Sequence, residues 1–146
     1  MPVCEENPRP MLVDKQLEIN GYDIDITGVV SNIVYVRWFE DLRLRLMDRY
    51  CPFIDLFRRN LSVVLTRTEI EYKKGLTMYD RPVGRVWVSD LRRARWEVSF
   101  EIESDGAINC LGRQVGYFID REKQHAVRVP VELAKEYHSC TGAGVV

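Results

Sequence analysis

Long apolar runs are absent from this chain of 146 residues. A bilayer-crossing helix needs about 20 consecutive apolar residues, so no transmembrane span and no membrane partner are expected. The N-terminal stretch carries Glu5, Glu6, Pro8 and Pro10 where a secretion signal needs an apolar core, which points to the cytoplasm. Histidine is scarce as well: His125 and His138 are the only two, and neither lies near a cysteine or in a His-x-x-x-His spacing. The four cysteines, Cys4, Cys51, Cys110 and Cys140, are isolated, with no Cys-x-x-Cys pair. That spacing argues against zinc and against a disulfide framework, and leaves reduced thiols that fill space. No metal and no bound cofactor are expected. An excess of one charge is missing too. The formal net charge of -1 argues against a general electrostatic grip on nucleic acid or an anionic bilayer.

What is present is the composition of a globular protein, 46% hydrophobic and 29% charged. The length suits one domain and leaves little room for two. No repeat or linker interrupts it, so a single domain over residues 1–146 is expected, with flexible ends at about 1–12 and 139–146.

Leu17 and Ile19 alternate with Gln16 and Glu18, which predicts a first strand within Val13 to Tyr22. From Ser31 to Tyr50 the period changes. Tyr35, Trp38, Phe39, Leu42, Leu46 and Met47 recur at steps of three and four, with Arg37, Glu40, Asp41, Arg45 and Asp48 between them. This predicts a long amphipathic helix, capped by Ser31 or Asn32 and ended by Pro52. Strands follow at Leu61 to Tyr72, at Val83 to Asp90, and at Trp96 to Glu103, where apolar and polar residues alternate cleanly. Asp105-Gly106 marks a tight hairpin into a strand at Ala107 to Asp120, and Val131 to Tyr137 reads as a short last helix after Pro130. The fold class is therefore α+β: an antiparallel sheet wrapped around one long central helix. One helix cannot cover both faces of that sheet, so a second subunit is expected against its remaining apolar surface and edges.

The segment Tyr22-Asp23-Ile24-Asp25-Ile26-Thr27-Gly28-Val29-Val30-Ser31-Asn32 sets two carboxylates two residues apart, then a glycine, then the helix start. Such a loop can serve acyl transfer. The free N–H groups and dipole of a helix N-terminus favour negative charge growing on a carbonyl oxygen. A carboxylate beside them can attack the carbonyl or deprotonate a water. Gly28 permits a turn that other residues resist, or a close approach of ligand to backbone. An Asp-rich turn before a helix is also a plain capping and turn signal, and spacing alone does not choose between the two.

The run Asp23-x-Asp25-x-x-Gly28-Val29-Val30-x-x-x-x-Tyr35-x-x-Trp38-Phe39-Glu40-x-x-Arg43 resembles the signature of hot-dog acyl-CoA thioesterases of the 4-hydroxybenzoyl-CoA thioesterase type. The resemblance implies a hot-dog fold and hydrolysis of an acyl thioester to free acid and thiol, by a cytoplasmic homodimer or homotetramer. It places the family's catalytic aspartate, nucleophile or general base, on Asp25. The N–H that polarises the thioester carbonyl falls on Asn32 and the loop glycine on Gly28. Asp23 is given the task of holding the loop, with Val29, Val30, Ser31 and Tyr35 beside the substrate. Arg92 and Arg93 are candidates for the coenzyme A phosphates, since guanidinium matches phosphate geometry; a solvated strand face explains them equally well. Ser31-Asn32 departs from the residues common in the family, and Asn32 is similar to acyl-carrier-protein thioesterases, so either carrier stays open. A hydratase of the same fold wants a His paired with a carboxylate, and neither histidine lies near the loop. A non-catalytic acyl-CoA binding module remains the rival of another class.

Overall fold

The computed structural model describes residues 9–142. The chain runs as β1 (Val13–Gln16), a single 3-10 turn (Gly21–Asp23), α1 (Asn32–Tyr50), α2 (Phe53–Arg58), β2 (Leu61–Tyr72), β3 (Val83–Leu91), β4 (Arg95–Ser104), β5 (Ala107–Asp120) and α3 (Val131–Thr141). The five strands form one antiparallel sheet in the order β1-β3-β4-β5-β2, which leaves β1 and β2 at its edges.

The helical period of α1 produces its buried face: Val34, Tyr35, Trp38, Phe39, Leu42, Leu46 and Met47 all lie in the core. From the sheet, Val86, Val88, Trp96, Val98, Phe100, Ile102, Cys110 and Phe118 meet them. Alternation along β3 and β4 turns Arg85, Trp87, Glu97, Ser99, Glu101 and Glu103 to the opposite, charged face. There Glu101 takes Arg9 and Arg85, and Arg113 pairs with Glu69. Helix and sheet approach closely at Gly112, where the Phe39 ring occupies the place of a side chain: an added Cβ would stand 2.3 Å from its Cε2. Phe39 also stacks on Phe100, with ring centroids 4.2 Å apart.

Two expectations are revised. The first strand is shorter than Val13 to Tyr22, because beyond Gln16 the ladder to β3 ends and only Leu17 N–H still donates to Pro82 O, at 2.9 Å. Pro52 does not merely stop the long helix. It sits at the N-cap of α2, an additional short helix whose Leu56 is fully buried. Of the ends expected to be flexible, 9–12 and 139–142 are among the described residues. Pro10 O accepts from Val88 N–H at 3.0 Å, Met11 is buried, and α3 continues to Thr141 before Gly142 caps it at φ 68°. The remainder of those ends, 1–8 and 143–146, lies outside the described residues. Cys4 lies there too. The hairpin at Asp105-Gly106 has both central residues at positive φ, 51° and 77°, the backbone of a primed turn.

Candidate active site

The segment ahead of α1 folds on itself. Ile24 and Val30 form an antiparallel bridge, Asp25 N–H donates to Val29 O at 2.8 Å, and Gly28 N–H donates back to Asp25 O at 3.0 Å. This closes a small hairpin over residues 25–29. Gly28 sits at φ 85° with open space around it, so the turn, not a crowded neighbour, is what requires glycine there. Val30 N–H donates to Leu76 O at 2.8 Å, and Ser31 N–H donates to Asp23 O at 2.8 Å. The first ties the hairpin to the loop between β2 and β3, and the second ties the N-cap of α1 to the 3-10 turn.

The two aspartates separate by environment. Asp23 is buried, and its Oδ2 accepts from Asn20 N–H at 2.8 Å and from Asn20 Nδ2 at 3.3 Å. Its carboxylate is occupied in closing the 3-10 turn. Asp25 is half-buried. Its Oδ1 accepts from the Thr27 hydroxyl at 2.6 Å and from Thr27 N–H at 2.8 Å, while no group among the described residues donates to Oδ2. The Thr27 hydroxyl, and after it the Thr27 N–H, hold the Asp25 carboxyl below its ordinary value. The carboxylate is therefore charged at neutral pH, with one oxygen free.

Ser31 is the N-cap of α1, and its side chain makes no capping bond. Among the described residues, the N–H groups of Asn32 and Ile33 donate to nothing, as the first turn of a helix leaves them. The Asn32 carbonyl accepts from the Tyr72 hydroxyl at 3.0 Å, which pins the helix start to the far end of β2. An ionised carboxylate and a set of unpartnered N–H donors thus stand on one short, tied segment. That arrangement can activate a water or attack a carbonyl carbon, and can receive the oxyanion that results.

The remaining candidates divide. Val29 is half-buried and Val30 fully buried. Tyr35 is in the core, 2% exposed, with its ring edge-on to Trp38 and Tyr72 at 5.3 and 5.2 Å. Burial pushes its hydroxyl up to about 12, so it stays neutral. Within one chain its ring packs in the first turns of the long helix, between Trp38 and Tyr72. Arg92 and Arg93 are not brought to Asp25. They follow the end of β3, whose nine residues span about 30 Å. There Arg92 pairs with Asp90 at 3.0 Å, and Arg93 O accepts from Val129 N–H at 2.7 Å. A groove of about 400 Å³ lined by Glu69, Trp87, Ser99 and Arg113 lies on the charged face of the sheet, away from the Asp25 hairpin. Among the described residues no group of three or more His, Cys, Asp or Glu could hold a metal ion, and no helix is long and apolar enough to cross a membrane.

Thr27, Tyr72 and Leu76 were not among the sequence candidates. The Asp-x-Thr spacing is a local signal for the first, since an Asp side chain caps the backbone two residues on. Tyr72 and Leu76 meet the loop only through the tertiary fold, and no local pattern marks them.

A five-stranded antiparallel sheet with one long helix packed on it, and a carboxylate loop at that helix's start, is a hot-dog protein of the thioesterase class. Residues 20–136 match the family model described as the thioesterase-like superfamily, and the chain belongs to that family. The structure is similar to the DHNA-CoA thioesterase of Staphylococcus aureus, with a TM-score of 0.77, 20% identity, and 90% of this chain and 89% of that one covered. It is also similar to a thioesterase of Thermus thermophilus complexed with coenzyme A and Zn, with a TM-score of 0.77, 19% identity, and 93% and 98% covered. A hypothetical protein of Staphylococcus aureus in complex with CoA gives a TM-score of 0.84 at 11% identity, with 94% and 89% covered. These likenesses are likenesses of fold. No curated protein matches the sequence.

Proposed function

We propose that the protein is an acyl-CoA thioesterase of the 4-hydroxybenzoyl-CoA type, with Asp25 as its catalytic carboxylate. The observation that carries this reading is the free Oδ2 of an ionised Asp25, one short hairpin ahead of the unpartnered N–H groups of a 19-residue helix. In the general-base route, Asp25 Oδ2 takes a proton from water as its oxygen bonds to the thioester carbonyl carbon. In the nucleophilic route Oδ2 makes that bond itself, and water then cleaves the mixed anhydride. In either route the carbonyl oxygen gains the negative charge, which Asn32 N–H and the helix dipole stabilise. Collapse of the tetrahedral species breaks the C–S bond, and the departing thiolate takes up a proton.

Gly28 supplies the turn that presents Asp25, and Asp23 supports the loop by closing the 3-10 turn that precedes it. The active unit is a homodimer or homotetramer, supported by the length of β2, an edge strand whose outer edge has no partner among the described residues. Steady-state release of free thiol from a panel of acyl-CoA substrates tests the reading. The expected result is turnover of at least one substrate, with kcat reduced about 10²-fold or more in Asp25→Asn. Turnover that survives Asp25→Asn unchanged would remove Asp25 from the mechanism.

A further inference from the structure

We propose that Tyr72 is a positioning residue of this site: through the Asn32 carbonyl it fixes and strengthens the Ile33 N–H, which joins Asn32 N–H as a second donor to the oxyanion. The part in a reaction rests on the thioesterase reading; the action on Ile33 N–H stands on geometry alone. Tyr72 closes β2, opposite Cys110 in the ladder to β5. The backbone beyond it is held as well. Lys73 N–H and Lys74 N–H both donate to Asn109 O, at 2.9 and 3.1 Å, and the buried Asn109 side chain donates to Lys74 O at 3.1 Å. The Tyr72 ring stands edge-on to Tyr35, with centroids 5.2 Å apart and planes at 80°. From this fixed base its hydroxyl reaches the first residue of α1 and donates to Asn32 O at 3.0 Å. Burial, and after it Cys110, push that hydroxyl above the ordinary tyrosine value, so it keeps the proton it donates.

The bond does not rescue a stranded group. Asn32 is exposed, and its carbonyl accepts from Val36 N–H as the helical ladder requires. A carbonyl oxygen has two lone pairs, and Tyr72 engages the second. The consequence falls at the other end of the same peptide unit. Asn32 C=O and Ile33 N–H share one delocalised amide. A donor at the oxygen draws density from the nitrogen, and hydrogen bonds linked in this way reinforce one another. Ile33 N–H, which donates to nothing among the described residues, is thereby made a stronger donor.

Successive N–H groups at a helix start point the same way along its axis, and two of them can reach one oxygen. The two donors here are prepared differently. Asn32 N–H shares its amide with Ser31 O, which accepts from Val34 N–H at 3.0 Å, so backbone alone prepares it. The Ile33 donor depends in addition on a side chain forty residues further along. That bond also steadies the Asn32–Ile33 peptide plane, and an oxyanion hole works through donors aimed before the charge develops. Without the hydroxyl the N–H remains, weaker and less well aimed. Its absence should therefore cost less than deletion of a donor.

Tyr72→Phe removes that hydroxyl and nothing else. In the full-length protein, kcat on an acyl-CoA that the wild type hydrolyses should fall about three- to tenfold, against the ~10²–10³ of a deleted donor. KM should not change, and circular dichroism should show α1 intact. Placing 3-fluorotyrosine or 3,5-difluorotyrosine at position 72 keeps the ring and makes the hydroxyl a stronger donor. Below the pH at which the fluorinated hydroxyl ionises, kcat should climb in the order phenylalanine, tyrosine, fluorotyrosine, difluorotyrosine. A brace that merely held the fold would not follow the acidity of the hydroxyl. A flat kcat across the series, or a loss confined to KM, overturns the proposal. The second readout needs no turnover. In protein labelled with 15N-isoleucine, the Ile33 amide resonances should move upfield in Tyr72→Phe and downfield in the fluorinated variants. An Ile33 amide that stays in place overturns the proposal even in an active enzyme. If the wild-type chain hydrolyses no thioester at all, the thioesterase reading fails on its own, and the Ile33 resonances still decide whether Tyr72 acts on that N–H.

Discussion

Replacing Gly112 by alanine adds one methyl group where the Phe39 ring of α1 lies directly against the sheet. An ideal Cβ there would stand 2.3 Å from Phe39 Cε2 and 2.4 Å from Cζ, whereas ordinary contact begins at 3.4 Å. The ring must therefore retreat by about 1 Å, the difference between 3.4 and 2.3 Å. It has nowhere to go cheaply. Phe39 is fully buried, and the plane of its ring lies 15° from that of Phe100 at 4.2 Å. Overpacking of a filled core costs about 1–3 kcal/mol, and a retreat that large on a rigid ring belongs in the upper half of that range. For a chain of this size each kcal/mol lowers Tm by about 2–4 °C, so Gly112→Ala should melt roughly 4–12 °C below the wild type. Differential scanning calorimetry at fixed protein concentration reads this directly, with concentration held because assembly also shifts Tm. The cause is checked by Phe39→Leu, which removes the clashing ring edge at its own cost. In the double variant the two losses should fall short of their sum by about 1 kcal/mol or more, as contacting sites do. Strict additivity, or a Gly112→Ala protein that melts with the wild type, would refute the account of the helix–sheet contact.

Asp23→Asn should lower stability and leave kcat within about tenfold of wild type, against the much larger loss expected of Asp25→Asn; the two are separated by melting curves alongside thiol-release kinetics. Thr27→Ala removes the hydroxyl that most strongly favours the charged form of Asp25, so its pKa should rise toward the ordinary carboxylate value. The sign follows: a depressed carboxylate stays active as pH falls until its own pKa is reached, so in Thr27→Ala the acid limb of kcat/KM against pH should begin at higher pH. An unmoved limb would mean that another group sets it. Asn32→Ala should keep most activity, since the backbone N–H is retained. Asn32→Pro deletes that donor and should lose about 10²–10³ in kcat, with circular dichroism verifying that α1 still forms.

Periodicity was enough for α1, because a helix that must bury one face writes that face into its spacing. Tyr35, Trp38, Phe39, Leu42, Leu46 and Met47 are all buried where the pattern puts them. Alternation likewise marked β4, and Asp105-Gly106 marked its hairpin, because both signals are local. The extra helix α2 escaped, since six residues after a proline are too few for a period to emerge. The end of the first strand escaped as well: Leu17 and Ile19 continue the alternation although the ladder to β3 has stopped.

The same division runs through the site. Sequence alone determined that two carboxylates and a glycine precede a helix, and a family signature ranked Asp25 above Asp23. It was the tertiary structure that buried Asp23 against Asn20 and left Asp25 Oδ2 free. It tied the hairpin to Leu76 and the helix start to Tyr72, and it set Arg92 and Arg93 at the far end of β3. The reason is physical. Turn and helix signals act over a few residues, whereas exposure and strand-end position depend on segments tens of residues apart, which only the packed sheet brings into register.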